Sequence, residues 1–235
     1  ITVILDAAHS LGATVGGRKT GSHADMTMFS FHPVKSITTG EGGAIVTDDP
    51  SLYEKLTLFR THGITRDQSA MQSTAPWYYE MHELGYNYRL TDIQAALGIS
   101  QLRRLDFFTQ KRQRIAQIYT EAFSDMEGVI PPLQMEDRRS SWHLYVIRLE
   151  LEKLSVGRRQ IFEALRAENI GVNVHYIPVY YQPYYQKLGY KRGLCPHAEQ
   201  YYESAITLPI FPNMTDQDIQ DVITAVQKVT KYYLK

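Results

Sequence analysis

Lys35 lies in a polar loop between two apolar runs, preceded in the chain by Asp6 and Ser30 and followed by Gly40, Gly42 and Gly43. Each of these types has a use in one kind of chemistry. A lysine amine condenses with an aldehyde, a carboxylate keeps an aromatic nitrogen protonated so that its ring withdraws electrons, and a hydroxyl can donate to a phosphate. Such a set needs a stiff loop that presents the amine into a cleft at the carboxyl ends of parallel strands. The glycines let the loop turn tightly back to the sheet. Taken singly, each residue has a commoner use: a solvated surface lysine, an aspartate capping a helix, an ordinary glycine turn. The order strand-Asp, strand-Ser, loop-Lys, glycine turn, strand favours the chemical reading over the separate explanations.

The elements that must position this set can be read from the same segment. Val3-Ile4-Leu5-Asp6 is a short apolar run followed by Ala7 and Ala8, which predicts a buried, parallel-type strand with Asp6 at its carboxyl end. Further strands are predicted over 26–31 and 43–47, and a helix over 51–60 from the spacing of Leu52, Leu56 and Phe59. This alternation makes the first part α/β. Thr91 and Gln94 form a capping-box pattern that opens a helix over 91–105, with Ile93, Ala96, Leu97 and Leu105 on one face. A second amphipathic helix is predicted from about 106 to 123, with Phe108, Ile115, Ile118 and Tyr119 as its apolar stripe and Lys111, Arg112 and Arg114 facing water. Beyond Pro131-Pro132 the pattern predicts a strand over 144–149, a helix over 158–169, a strand over 171–177 and a last helix opened by Thr215 and Asp218, which is an α+β layout. No internal repeat is visible.

Bulk properties narrow the partners. The 235 residues carry 25 Lys+Arg against 25 Asp+Glu, so nothing offers an electrostatic footprint for a nucleic acid or an anionic membrane, and a small-molecule ligand fits better. The single cysteine, Cys195, reads as a buried or incidental thiol, and the eight histidines show no metal-ligand spacing. The expected compartment is a reducing cytoplasm, since no apolar run reaches membrane-span length and the first residues lack the features of a secretory signal. The chain opens at Ile1 directly into an apolar run, which reads as an entry in mid-fold.

Four ordered blocks carry a family resemblance. Asp6-Ala7-Ala8-His9, Ser30-Phe31-His32-Pro33-Val34-Lys35, Gly40-Glu41-Gly42-Gly43, and Gly85-Tyr86-Asn87-Tyr88-Arg89 followed by Asp92 and Ala95-Ala96 closely resemble the signature blocks of the DegT-type sugar-nucleotide aminotransferases. The chain is most similar to those that aminate UDP-4-keto-6-deoxy-N-acetylhexosamines in pseudaminic acid synthesis. The resemblance implies pyridoxal 5'-phosphate as cofactor and the fold of a type I pyridoxal-phosphate transferase. Residues 1–125 would then be the C-terminal portion of the large domain, a mostly parallel sheet with helices, and 126–235 a smaller α+β domain. Lys35 would form the Schiff base and later move the proton, Asp6 would pair with the pyridine nitrogen, His9 would lie near the ring, and Ser30 would bind the phosphate. Asn87 would reach the phosphate held by a neighbouring copy, so that a homodimer shares its sites. His32 and Arg89 would face substrate.

The implied reaction is amination of the C4 ketone of a nucleotide-linked 4-keto-6-deoxy sugar with glutamate as donor, in bacterial surface-glycan synthesis. Family members are longer, and the part before Ile1 would supply the phosphate-capping helix terminus and the aromatic ring stacked on the pyridine. A dehydratase of the same fold is disfavoured by Lys35, because the family's dehydratases have histidine there. A non-catalytic remnant acting as a folding or interaction module is the alternative from another class. Tyr176, Tyr180, Tyr181, Tyr184 and Tyr185 could wall a nucleotide-sugar pocket, although core or subunit-interface packing is the commoner use of such tyrosines and the favoured reading. His175 reads as a hydrogen-bonded structural histidine, and His62, His82 and His197 receive no role.

Overall fold

The computed structural model describes residues 1–67 and 69–235. The chain forms two compact units, Ile1–Asp106 and Phe107–Lys235.

In the first unit, β1 (Ile4–Asp6) is followed by a small hairpin of β2 (Thr14–Val15) and β3 (Arg18–Lys19). The strand β4 (Met26–Ser30) then runs parallel to β1, with Asp6 opposite Met28. Next comes β5 (Gly43–Val46), antiparallel to β4 with Ser30 opposite Gly43, so this sheet has one parallel and one antiparallel pair where a mostly parallel one was expected. The reversal has a local cause. A parallel return needs a crossover that carries the chain back past the strand it left, whereas the loop leaving β4 folds back on itself, Phe31 N–H donating to the Gly42 carbonyl at 2.9 Å. The burial expected of β1 is also absent: Ile4 is exposed.

Asp49 caps α1 (Pro50–Arg60), its carboxylate accepting from the Ser51 and Leu52 N–H groups. A short antiparallel pair, β6 (Ile64–Thr65) and β7 (Glu80–Met81), follows. The capping box predicted at Thr91 and Gln94 opens α2 (Asp92–Leu102). Its apolar residues find little cover within the unit: no α1 or α2 side chain is buried, and Ile93 is 84% exposed.

The second unit is closed. Its long helix α3 (Leu105–Phe123) leads to β8 (Val129–Ile130), a two-residue strand β9 (Arg138–Arg139) and β10 (Tyr145–Leu149). Helices α4 (Arg158–Ala167), α5 (Pro183–Lys187) and α6 (Pro196–Ser204) precede β11 (Ala205–Leu208) and the last helix α7 (Asp216–Tyr233). Strand β10 pairs antiparallel with both β11 and β8. Against this sheet pack Ile115, Tyr119 and Phe123 of α3, Ile161 and Leu165 of α4, and the stripe Ile219, Val222, Ile223, Val226 and Val229 of α7. That stripe is the one its spacing predicts.

Two expectations fail here. Arg112 does not face water. It is buried on α3, and its guanidinium donates to the carbonyls of Trp142, His143 and Ile210 at 3.1, 3.2 and 2.7 Å. A planar guanidinium can satisfy loop carbonyls that no ladder serves, and burial lowers its proton affinity below the usual arginine value. Residues 171–177 do not form a strand but a single bridge, Asn173 to Thr207 of β11. Asn173 turns its side-chain oxygen onto the Val174 N–H at 2.8 Å, and His175 Nδ1 lies 2.8 Å from Thr207 Oγ1, so local side-chain bonds replace the ladder.

Candidate active site

The parallel pairing of β1 with β4 puts Asp6 and Ser30 at neighbouring strand ends, on the side where the Lys35 loop leaves the sheet. Beyond Asp6 the chain turns at once, Ala7 N–H donating to the Met28 carbonyl and Ala8 N–H to Asp6 Oδ1 at 3.0 Å, which leaves His9 exposed on the turn. Ser30, the last residue of β4, is half-buried, and its Oγ accepts a long 3.4 Å contact from His32 N–H.

The loop carrying Lys35 is tied at several points. Phe31 donates to Gly42 and its carbonyl accepts from Thr39 N–H and Thr38 Oγ1, while Lys35 N–H donates to the His32 carbonyl. Ser36, Ile37 and Thr39 are buried, so the loop has a small interior of its own. Gly42 has φ +154°, and a Cβ there would run into Thr39 Oγ1 and Leu90 Cδ1, which accounts for the glycine-rich return.

Lys35 itself is partly buried. That burial holds its ammonium below the ordinary lysine value, and the Asp6 carboxylate pulls in the opposite direction. Amine and carboxylate are therefore within electrostatic range across the strand ends. The net lowering raises the share of neutral amine, the form that attacks a carbonyl.

The remaining predicted residues are held elsewhere in the unit. His32 is exposed on the loop, 3.9 Å from the Glu41 carboxylate. Asn87 and Arg89 lie on a segment pinned to the end of α1: Tyr86 N–H donates to Phe59, Tyr88 N–H to Arg60, and Asn87 bridges Thr61. Tyr86 and Tyr88 stack with centroids 4.8 Å apart, and Asn87 and Arg89 are both exposed.

Sequence reasoning passed over the contacts beneath the loop. Gln94, noticed only as a capping residue, also donates through Nε2 to the Glu41 carbonyl at 3.0 Å, and Thr39 Oγ1 donates to the same oxygen at 2.7 Å. A signal was available in the glycine of the helical run Asp92 to Leu102, since Gly98 costs helix stability unless something must approach it closely.

The model of the DegT/DnrJ/EryC1/StrS aminotransferase family matches residues 1–227. The chain belongs to this family. It is 39% identical over 238 residues to a Campylobacter jejuni UDP-4-amino-4,6-dideoxy-N-acetyl-beta-L-altrosamine transaminase, covering 99% of this chain and 61% of that protein. Among solved structures it is similar to Helicobacter pylori PseC, an aminotransferase involved in the biosynthesis of pseudoaminic acid, with TM-score 0.90, 35% identity and coverage of 99% of this chain and 60% of the other. A Streptococcus pneumoniae chain described as a sugar aminotransferase, solved in its PLP form, gives TM-score 0.88 and 33% identity over 100% of this chain and 59% of its own. The chain thus spans about three fifths of the length of these DegT-family relatives.

The rest of the molecule adds little to the chemistry. Among the described residues no His, Cys, Asp and Glu group could hold a metal, and no helix is long and apolar enough to cross a membrane. Cys195 is exposed, not buried. Of the tyrosines, Tyr181 is buried, Tyr180 donates to Glu199 at 2.7 Å, and Tyr176 and Tyr184 are exposed.

Proposed function

We propose that this chain is the lysine-bearing part of a pyridoxal-phosphate-dependent aminotransferase. Its substrate would be the C4 ketone of a nucleotide-linked 4-keto-6-deoxy sugar, its donor glutamate, and its setting bacterial surface-glycan synthesis in the cytoplasm. The observation that carries the reading is the placement of Asp6 at the end of β1 and of Lys35 on the loop that leaves β4: a partly buried amine of lowered basicity within electrostatic range of a carboxylate. The names of the Campylobacter and Helicobacter relatives support the sugar class.

These residues fit pyridoxal phosphate. Asp6 would be the anion that keeps a proton on a pyridine nitrogen, Ser30 would offer a hydroxyl to a phosphate, and Lys35 would offer the amine that links to the aldehyde and could carry a proton to and from the amino-bearing carbon. His9, on the turn after Asp6, would lie beside the ring. Pyridoxal phosphate, when bound, would supply an electron-withdrawing ring. His32 and Arg89 are assigned to substrate. Asn87, exposed on its pinned segment, is assigned to the phosphate held by a second copy, which makes the working unit a homodimer. This reading assigns residues 1–125 to the cofactor-binding domain and 126–235 to the small domain, whereas the compact units divide after Asp106, with Ile115, Tyr119 and Phe123 of α3 in the core of the second.

The test is direct. The chain is mixed with pyridoxal phosphate and the visible absorbance is followed for the wild type and for Lys35→Ala. A band that Lys35→Ala abolishes is expected. Its absence from the wild type would overturn catalysis by this chain and leave the reading of a folding or interaction module.

A further inference from the structure

Helix α2 meets the Lys35 loop at two points. Through Gln94 it donates to the Glu41 carbonyl at 3.0 Å, while the Gln94 side-chain oxygen accepts from Thr91 N–H at 3.0 Å, so the amide that caps the helix also ties it to the loop. The second point is Gly98. A Cβ there would lie 2.9 Å from Thr39 Cγ2, tighter than packing allows. Thr39 cannot easily yield. It is β-branched and 3% exposed, its hydroxyl is bound to Glu41, and its N–H is bound to Phe31 at the loop's base. Both contacts therefore converge on the Glu41 carbonyl, and through Thr39 they reach the closure that fixes where the loop holds Lys35.

We propose that α2 is the positioning element of Lys35, with Gln94 and Gly98 as the two residues that set the loop carrying it. The proposal rests on Lys35 being the cofactor-linking amine, but it concerns this chain's own geometry and can be read without cofactor. Neither residue is a catalytic residue, since each acts through Thr39 or Glu41. The charged group acting on Lys35 is Asp6, at the end of β1, and the α2 residues at both contacts are uncharged. A neutral change in α2 thus alters Lys35 only by moving the loop.

The experiment is a pH profile of Lys35 acetylation by dilute acetic anhydride, resolved by peptide mass spectrometry, with lysines of the second unit as the reference in the same digest. Gly98→Ala is the primary variant. It improves helix propensity, so any effect cannot come from melting α2. Its added methyl must displace Thr39. The midpoint of the Lys35 profile is expected to move up toward the ordinary lysine value as the loop lifts and the amine is hydrated. Adding Thr39→Ser removes the colliding Cγ2 but keeps the hydroxyl, and is expected to restore the wild-type midpoint. Gln94→Met, which removes the tie without adding charge, is expected to move the midpoint the same way. With pyridoxal phosphate present, the rate at which the lysine-dependent band forms should fall about tenfold in Gly98→Ala, within the range expected for a misplaced reacting group.

Unmoved midpoints in both Gly98→Ala and Gln94→Met, or a shift that Thr39→Ser fails to reverse, overturn the proposal. The two readings fail separately. A wild-type band with unmoved midpoints leaves the cofactor assignment standing and removes the positioning role. Midpoints that move and recover in a chain showing no band leave the positioning role standing and remove the cofactor assignment.

Discussion

The two units of this chain are built on opposite plans. The second encloses a continuous core in which Tyr119, Phe123, Tyr145 and Ile147 are almost wholly removed from solvent, and its last helix buries a full stripe. The first holds Asp6, Ser30 and Lys35, yet its two helices bury no side chain and Ile93, Ile99 and Leu102 stand exposed along α2. Apolar burial is the dominant stabilising term, so the second unit can rest on packing, whereas the first, in a chain that spans about three fifths of its relatives' length, is held within itself more by caps, loop closures and close backbone approaches. The difference teaches that within this span the second unit completes its own core while the first, which carries Asp6, Ser30 and Lys35, leaves its apolar helix faces uncovered.

The largest blow to this contrast should come from the second unit's core. Phe123→Ala empties a fully buried aromatic site between α3 and the sheet and should cost about 3–5 kcal/mol. Trp142 packs against that core while Trp77, in the first unit, is 81% exposed, so tryptophan fluorescence during denaturant unfolding reads the second unit. The transition is expected to move to much lower denaturant. The acetylation profile of Lys35, a property of the first unit, should stay in place if the two plans are independent.

Arg112 offers a second, smaller test. Arg112→Met keeps the aliphatic stem but leaves the carbonyls of Trp142, His143 and Ile210 without their donor, for an expected loss of about 2–3 kcal/mol on the same fluorescence transition. A loss under about 0.5 kcal/mol would mean that water replaces the guanidinium, and the second unit would be less closed than its burial suggests.

Capping boxes compare the units on equal terms, because each has one. Thr91 opens α2 and Thr215 opens α7 with the same reciprocal bonds. Replacement of either by alanine should cost about 1 kcal/mol. The consequences should differ. Thr215→Ala is expected to shift the whole fluorescence transition, since α7 is part of the core. Thr91→Ala should appear as faster hydrogen exchange over the first turn of α2, with the fluorescence transition unmoved. Equal shifts in fluorescence would refute the separation of the two units.

Much of this was legible in the chain, for identifiable reasons. The three strands of the first sheet, both capping boxes and the α7 stripe follow from patterns that are local: an apolar run, a spacing, a cap. Asp6, Ser30 and Lys35 could be grouped because each lies at a strand end or in the loop that follows one. What escaped was set by long-range geometry. Arg112 occupies a stripe position on α3, but only the fold shows that three carbonyls wait there in place of solvent. The direction of β5 depended on a loop folding back on itself, and the strand expected at 171–177 gave way to side-chain bonds from Asn173 and His175. The second contact of Gln94 joins residues far apart in sequence, so no local pattern announces it.

The smallest effect concerns acid. In the first unit the Asp49 carboxyl is held below its usual range by the Ser51 hydroxyl and the N–H groups of Ser51 and Leu52, and in the second the Asp218 carboxyl is lowered by the Thr215 N–H and hydroxyl. A carboxylate whose folded pKa is lowered binds fewer protons folded than unfolded. Its contribution is therefore complete above the ordinary carboxylate value and is lost as pH falls through the lower, folded one. Both groups are fully exposed and screened by salt, so each change is slight. Acid should thus weaken both units over the same range below about pH 4, in contrast to the core substitution, which weakens one. Asp218→Asn should flatten part of the acid slope of the fluorescence transition. Glu150, held down by Lys153 and the Gly128 N–H, accounts for part of what remains. Asp49→Asn should leave that slope untouched while removing the pH dependence of exchange at the start of α1. If Asp49→Asn altered the fluorescence slope instead, α1 would be coupled to the second unit's unfolding, and the two plans would be one.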